Sequence, residues 1–363
     1  MKKSRIAIIG AGIFGLEIAT TLKIAGFSVS LFEKEGSVLT RTTSNNQNRL
    51  HVGLHYPRDL ETARQSVEGY KKFIEKYTSA VRTNFNNYYG VAKEGTQTNT
   101  DSFLGFAAQA EISIESVKLT DASHAGINPN LLESLWLCNE AVVDIIEYRR
   151  LALEQAKSSG LEIKLNTPIS HALYDGSHWT LYSNSEKVGD FEYVVRATYG
   201  QDSININISP ITKRTYEFQQ TLVFEVVSNA KPFGLTVIDG DFVTILPSGF
   251  SDNFLIYSPL PSVLNRFIGE KVPRQWTSFD EEMIEESFEE VSKRAREFAP
   301  ILGELSRLRT LLAVRTLEPF MSKTDKRVSH LKENYPAFYE VQSGKIDHAI
   351  EIANQLKRVL EEV

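Results

Sequence analysis

Residues Arg5 to Glu33, RIAIIGAGIFGLEIATTLKIAGFSVSLFE, run from an apolar stretch through three close glycines into a helical repeat, then into a second apolar stretch ending on an acid. That order is the signature of a dinucleotide-binding βαβ unit. Gly10 allows the tight turn out of the first strand, Gly12 lets bare backbone approach a pyrophosphate, and Gly15 lets the helix pack closely on the sheet. The helix begins at Ile13 and Phe14, where unpaired N–H groups and the positive dipole end favour an anion. Glu33 lies 18 residues after Gly15, with Lys34 beside it. A carboxylate there accepts from ribose hydroxyls and disfavours a ribose 2′-phosphate.

At 363 residues the chain suits about two domains and buries an ample core. Its 40 basic and 46 acidic residues give a net charge of −6 without a long basic run, so nucleic acid is not an expected partner. Cys138 is the single cysteine, which excludes an intrachain disulfide and a cysteine-rich metal site and fits a cytoplasmic location; no metal is expected. Lys2 and Lys3 ahead of an apolar stretch imitate a secretory leader, but Glu17 interrupts the run and no small-residue cleavage site follows. No later segment reaches the ~18 uninterrupted apolar residues that a membrane span needs. An integral membrane segment is therefore not expected.

Beyond the opening unit comes a polar stretch, Thr40 to Arg58, then an amphipathic helix over Glu61 to Ala80 with Ala63, Val67, Tyr70, Ile74 and Tyr77 on its apolar line. Phe85 to Ala92 reads as a strand, Asn128 to Leu132 as a loop leading into a helix turn, and Leu135 to Val143 as one further apolar strand, while residues 93 to 130 are ambiguous. Asp144 to Ser158 forms a helix with Ile146, Leu151, Leu153 and Ala156 apolar, stopped by Gly160. A strand over Glu162 to Leu165, a hairpin turning at Asp175 and Gly176, and the buried run Tyr193 to Ala197 return to the first sheet. Alternating strands follow at Gln219 to Val227, Leu235 to Ile238, Phe242 to Leu246 and Asn253 to Tyr257, an antiparallel pattern. Asp280 to Phe298 is a helix, Thr310 to Thr316 a strand and Lys345 to Leu360 a closing helix.

The glycine fingerprint alone does not separate FAD from NAD. The stretch Thr42 to Arg58, TTSNNQNRLHVGLHYPR, resembles the loop after the second strand in the D-amino-acid-oxidase family of FAD-dependent oxidoreductases, which includes glycine and sarcosine oxidases. Its core, Leu50-His51-Val52-Gly53-Leu54 followed by Tyr56, is similar to glycerol-3-phosphate and 2-hydroxyglutarate dehydrogenases. Thr167-Pro168-Ile169 resembles the loop that meets adenine. Val194 to Gly200 resembles an apolar strand ending in an Ala-Thr-Gly-like turn near the pyrophosphate, with Thr198 and Gly200 in the turn. Ser343-Gly344-Lys345-Ile346 resembles the turn that opens the last helix beneath the flavin pyrimidine, where backbone donors and a cation stabilise charge on the reduced ring. The family often carries a Thr-Pro-Asp-like segment after its late arginine, whereas this chain has Arg315-Thr316-Leu317-Glu318-Pro319.

The resemblance implies an α/β fold, a discontinuous Rossmann-like FAD-binding domain (residues 1–84, 140–210 and 306–363) with an antiparallel β-sheet substrate domain (85–139 and 211–305). It implies an FAD-dependent oxidase or dehydrogenase acting on a small, carboxylate-bearing molecule and reoxidised by dioxygen or a quinone. A CH–NH carbon of an amine or amino acid is the first-ranked donor and the CH–OH carbon of a 2-hydroxy acid the alternative. A flavin-binding electron-transfer subunit and a flavin monooxygenase are rivals. Thr43, Ser44, Asn45, Arg49 and Leu50 join the cofactor-binding candidates; Arg49 serves either phosphate or substrate. His51, His55 and Tyr56 are the catalytic candidates, with Arg58 nearby, because an imidazole near its ordinary pKa of ~6.5 can hydrogen-bond the flavin or take a substrate proton, and His51 is a cofactor-binding candidate as well. Arg315 matches the late arginine that forks onto a substrate carboxylate, its alternative being a salt bridge to Glu318. Tyr216, Phe218 and Tyr257 are expected mainly to pack.

Overall fold

The computed structural model describes residues 4–201, 203–208, 214–273, 276, 279–319 and 326–362. The expected domain limits at 210 and 211, and the end positions 1 and 363, lie outside them.

The opening strand Arg5–Ile9 is central in a six-stranded sheet. Across that sheet the order is His330–Tyr335, Phe338–Gln342, Tyr193–Arg196, Arg5–Ile9, Ser28–Phe32 and Glu162–Lys164. All neighbours are parallel except the terminal hairpin of the first two strands. Because side chains alternate along a strand, Ile6 and Ile8 point into a core shared with helices Ile13–Ile24, Ile145–Ser158 and Ala349–Glu361. Ala7 and Ile9 point the other way, against Trp179 and Leu181 of a four-stranded sheet. Covering both faces explains why these strands read as unbroken apolar runs. The acid that interrupts the apolar helix, Glu17, is buried and accepts hydrogen bonds from Tyr77 and Tyr148, with the Lys76 ammonium 2.6 Å away. At Gly10, φ is +98°, and a Cβ would stand 2.7 Å from the Ala197 carbonyl oxygen. A Cβ at Gly15 would collide with the Gly10 carbonyl oxygen, as the close helix–strand packing requires.

A nine-stranded, mostly antiparallel sheet forms the second layer system, with helix Glu281–Phe298 packed on its core. Its long strand Tyr216–Val227 pairs with Ser306–Leu317 along one edge and with Val263–Gly269 and Phe254–Tyr257 along the other. Residues 306–317, expected with the dinucleotide unit, therefore belong to the larger sheet. The expected single strand Leu135 to Val143 is two. Leu132–Cys138 lies in the nine-stranded sheet and Ala141–Val143 in a separate three-stranded one with Arg49–Leu50 and Val81–Arg82, so the chain changes sheets at Asn139 and Glu140. The ambiguous stretch holds a helix, Thr100–Gln109, and a strand, Ile114–Val117. In helix Ile145–Ser158 the buried residues are Tyr148, Ala152 and Ala156, while Ile146 and Leu153 face solvent. No helix among the described residues is long and apolar enough to cross a membrane.

The closing helix starts as a 3₁₀ turn, Ile346–His348, and becomes α-helical over Ala349–Glu361. It meets helix Leu60–Tyr77 at the small residues Ser66 and Gly69, and the expected Tyr70 and Ile74 are half-buried against the same core. A Cβ at Gly69 would collide with the Asp347 carbonyl oxygen. Beside it His348 is fully buried, with Ser66 Oγ 3.0 Å from Nε2 and Ser329 Oγ 2.9 Å from Nδ1. Ser329 Oγ also accepts the Gly344 N–H at 2.7 Å, which ties the Ser343–Ile346 turn to the His348 ring. Asp347 is fully buried, with His348 Nε2 3.4 Å from its Oδ2. Burial pushes its carboxyl up to about 7 and the His348 imidazole down to about 3.

Both shifts favour the neutral form, with opposite consequences for pH. The Asp347 contribution is complete below the ordinary carboxylate value of 3.8 and is lost as pH rises through about 7. That of His348 is complete above 6.5 and is lost as pH falls toward about 3. Asp347→Asn is expected to unfold near the wild-type temperature at pH 4 and several degrees above it at pH 8. Thermal unfolding at the two pH values checks this, and an equal change at both would contradict it. Gly69→Ala is expected to lower the melting temperature by a few degrees, since overpacking costs ~1–3 kcal/mol.

Candidate active site

A cavity of about 640 Å³ opens at the carboxyl ends of the parallel strands, where Ile9, Phe32 and Ala197 line it. That is the binding position of open α/β sheets. One end is built by the opening turn. Gly10, Gly12, Ile13, Phe14, Glu33 and Lys34 all line the cavity. Thr43 Oγ1 accepts the Ile13 N–H at 3.2 Å, closing the loop over the helix start. Glu33 accepts from the Ala11 N–H at 2.6 Å and the Glu35 N–H at 3.0 Å, which fixes its carboxylate at the cavity wall. Thr43, Ile169 and Thr198 also line this space.

The other end gathers groups from distant parts of the sequence: His51, His55, Tyr56, Arg315, Ser343, Gly344, Lys345 and Ile346. The approach of the Ser343–Ile346 turn is possible only without a side chain at Gly344, where a Cβ would collide with the Arg327 carbonyl oxygen. Lys345 donates to the Tyr56 hydroxyl, and its Nζ lies 3.2 Å from His51 Nε2 and 4.3 Å from the Tyr56 ring centroid. Arg315 donates to the Tyr257 hydroxyl at 2.8 Å and covers that ring. Its alternative partner Glu318 lies instead 3.6 Å from His330.

Behind the histidines stands a buried ion pair, Arg49 with Glu140. Arg49 also donates to Tyr89 at 2.6 Å, to Thr236, and to His55 Nδ1 at 3.3 Å. Glu140 accepts from Tyr89 and from the Val52 N–H at 3.1 Å, and its Oε1 lies 3.3 Å from His51 Nδ1 without hydrogen-bond alignment. Arg49 lines the cavity with its charge already compensated by Glu140.

Electrostatics sets the protonation states. Burial, reinforced by the Lys345 and Arg49 cations, holds both His51 and His55 well below the usual imidazole range, so both are neutral at working pH. Burial also lowers the Lys345 ammonium. For Tyr56, burial alone would raise the phenol, but the Lys345, Arg327 and Arg315 charges together bring it down.

Several expected residues lie off the cavity wall. Gly15 serves helix packing, Leu50 is in the core, and Gly200 turns the chain at φ +66° beside Tyr216 and Thr316. Ser44 bonds the Leu39 carbonyl, while Asn45 bonds the carbonyls of Thr40 and Arg41, so both fold their own loop. Arg58 is tied to Asp239 at 2.9 Å, which pins the histidine loop to the larger sheet. Tyr216 and Phe218 pack, but Tyr257 lines the cavity. Sequence reasoning missed Arg327, Tyr199, Gln201, Gln219 and Thr244 on the wall, and Glu140 behind it. Glu140 left one signal, a charge inside an apolar run; the others left none.

The cavity fits a flavin dinucleotide. Buried Thr198 Oγ1 and Gln47 Nε2, on residues that line it, have no hydrogen-bond partner among the described residues, and Gly12 is bare although a Cβ would meet only Thr43 Oγ1 at 3.5 Å. Internal packing demands none of these features. A polar ligand over the opening turn explains all three.

Residues 5–334 match the DAO family, described as FAD dependent oxidoreductase. A relative named FAD-dependent monooxygenase FPY4, from Fusarium mangiferae, is 27% identical over 263 residues, which is 72% of this chain and 66% of that protein. The chain thus spans just under two thirds of that relative's length. Among solved structures, an L-alpha-glycerophosphate oxidase from Mycoplasma pneumoniae with FAD bound superposes with a TM-score of 0.76 at 16% identity, over 99% of this chain and 95% of that one. A glycine oxidase from Geobacillus kaustophilus gives 0.73 at 12% identity, also over 99% and 95%. At those identities the likeness establishes the fold. With a family match over nearly the whole sequence and a dinucleotide cavity at its centre, the chain belongs to the DAO family of FAD-dependent oxidoreductases.

Proposed function

We propose that the enzyme oxidises a small carboxylate-bearing 2-hydroxy acid at its CH–OH carbon, with His51 receiving the hydroxyl proton. The observation that carries this reading is a neutral His51 ring at the same end of the cavity as Arg315, with Arg327 and Lys345 there and Glu33 the one acid among the described lining residues. Such a lining favours an anion. It disfavours an alkylammonium group.

The cofactor supplies the two-electron acceptance. Gly12, Thr43 and Glu33 would hold its adenosine and phosphate end, Thr198 and Gln47 would give hydrogen bonds along it, and Gly344, Lys345 and Ile346 would face its pyrimidine. Arg315, steadied by Tyr257, holds the substrate carboxylate, since a guanidinium offers two parallel donors. Lys345 and Tyr56 stand where they can hydrogen-bond the substrate oxygen as negative charge grows on it. His51 accepts the proton at Nε2 once that lone pair is released from Lys345.

An amine substrate is the second reading. It is favoured by that same contact, because Lys345 already occupies His51 Nε2 and a neutral amine needs no base. Anaerobic mixing of the yellow protein with hydroxy acids, amino acids and N-methyl amines separates the two. Bleaching of the flavin band by hydroxy acids alone is expected; bleaching by amines alone would overturn the first reading. His51→Asn is expected to slow flavin reduction ~100- to 10,000-fold with flavin content retained. Arg315→Lys is expected to raise KM for the carboxylate substrate ~10- to 100-fold with little effect on bound flavin. Wild-type kinetics in that variant would remove Arg315 from the site.

A further inference from the structure

We propose that Glu140 is a positioning residue for His51, fixing which ring nitrogen carries the proton and steadying the imidazolium formed in turnover. This rests on the reading of His51 as proton acceptor. Glu140 does not itself line the cavity and acts through His51.

An ammonium has only donors, so Lys345 Nζ, 3.2 Å from His51 Nε2, obliges that nitrogen to accept. A neutral imidazole then carries its proton on Nδ1. Nδ1 is buried and has no hydrogen-bond partner, and the carboxylate oxygen beside it, 3.3 Å away, is Glu140 Oε1. Glu140 is in turn held by Arg49 on Oε2, by the Tyr89 hydroxyl at 3.0 and 2.9 Å, and by the Val52 N–H at 3.1 Å. Val52 follows His51 directly, so the same carboxylate fixes both the backbone after the ring and the ring itself. A buried, immobilised carboxylate behind the non-reacting nitrogen of a histidine holds its tautomer and stabilises its charged form.

Charged and titratable groups surround His51 on every side. Glu140 is the anion; Lys345 and Arg49 are cations; His55 lies 5.4 Å and Tyr56 6.3 Å away between ring centroids, and His348 is also within electrostatic reach. Removing Glu140 or Arg49 breaks one ion pair in either case, but changes the field at His51 in opposite senses. A purely structural pair would not discriminate between the two losses.

The first test leaves Glu140 and Arg49 in place. Nitrogen-15 spectra of histidine-labelled holoenzyme are expected to give His51, identified by loss of its signal in His51→Asn, as the Nδ1–H tautomer; an Nε2–H tautomer overturns the proposal. The second is the pH dependence of kcat/KM. Glu140→Gln is expected to lower kcat ~10- to 100-fold and move the acid limb down by about one pH unit, while Arg49→Met moves it up. Glu140→Asp, which keeps the charge, is expected to return the limb toward wild type. Limbs that coincide, or that move in the same direction in Glu140→Gln and Arg49→Met, would also overturn it. If His51→Asn retains full turnover, the functional reading fails first, a result distinct from loss of activity in His51→Asn with coincident limbs in the Glu140 variants.

Discussion

The Arg49–Glu140 ion pair joins parts of the molecule that no continuous sheet connects. Arg49 lies in the three-stranded sheet, its partners Tyr89 and Thr236 in the nine-stranded one, and Glu140 in the link where the chain passes from the second to the first. Withdrawing two such charges from water costs several kcal/mol per ion, and the cost is offset only when the remaining donors and acceptors are also satisfied. Here they are, by a phenol, a hydroxyl, an imidazole nitrogen and a backbone amide. The loop carrying His51, His55 and Tyr56 is held against this network on one side and by Arg58 with Asp239 on the other. Its position follows from electrostatics more than from regular secondary structure, which it lacks.

This explains which parts of the protein were legible in the sequence. The βαβ unit announces itself because local geometry dictates residue types: Gly10 turns the chain at φ +98°, and Gly15 lets the helix pack on the Gly10 carbonyl. The residues at the other end of the cavity answer to contacts hundreds of positions apart. His51 and Lys345 meet only because strand Phe338–Gln342 lies beside Tyr193–Arg196, next to the opening strand, which brings the following turn to the cavity. Family resemblance located both; periodicity could not have paired them. Arg327 and Gln219 carry no local mark at all. The boundary error at residue 306 has a similar origin, since a strand's own pattern does not reveal which sheet it joins. Likewise Leu135 to Val143 reads as one apolar strand because residues of both sheets are buried, and only Glu140 marks the change.

Charge balance in the cavity restricts its chemistry independently of any relative. The cations near Tyr56 favour anions, and the same cations, added to burial, keep both histidines neutral. A base that is uncharged before it acts gains a positive charge when it accepts a proton, and at this site that charge would face Lys345 and Arg49. The anion behind the ring, Glu140, opposes that penalty. A neutral imidazole backed by a buried carboxylate can therefore take a proton at Nε2 once Lys345 has released that lone pair.

The turn from Ser343 to His348 serves two requirements at once. Its first half brings Gly344 and Lys345 to the cavity; its second half, through Asp347 and His348, anchors the final helix on helix Leu60–Tyr77. A longer side chain at Gly344 or Gly69 would relieve its clash by moving this one short segment, and that motion would carry Lys345 away from His51 and Tyr56. The 3₁₀ geometry of Ile346–His348 follows from the same constraint, because a tighter turn lets the backbone leave the sheet, pass under Arg327 and enter the helix within a few residues. Docking of the last helix and placement of the Lys345 ammonium are thus a single packing problem, and a change that loosens the first will misplace the second.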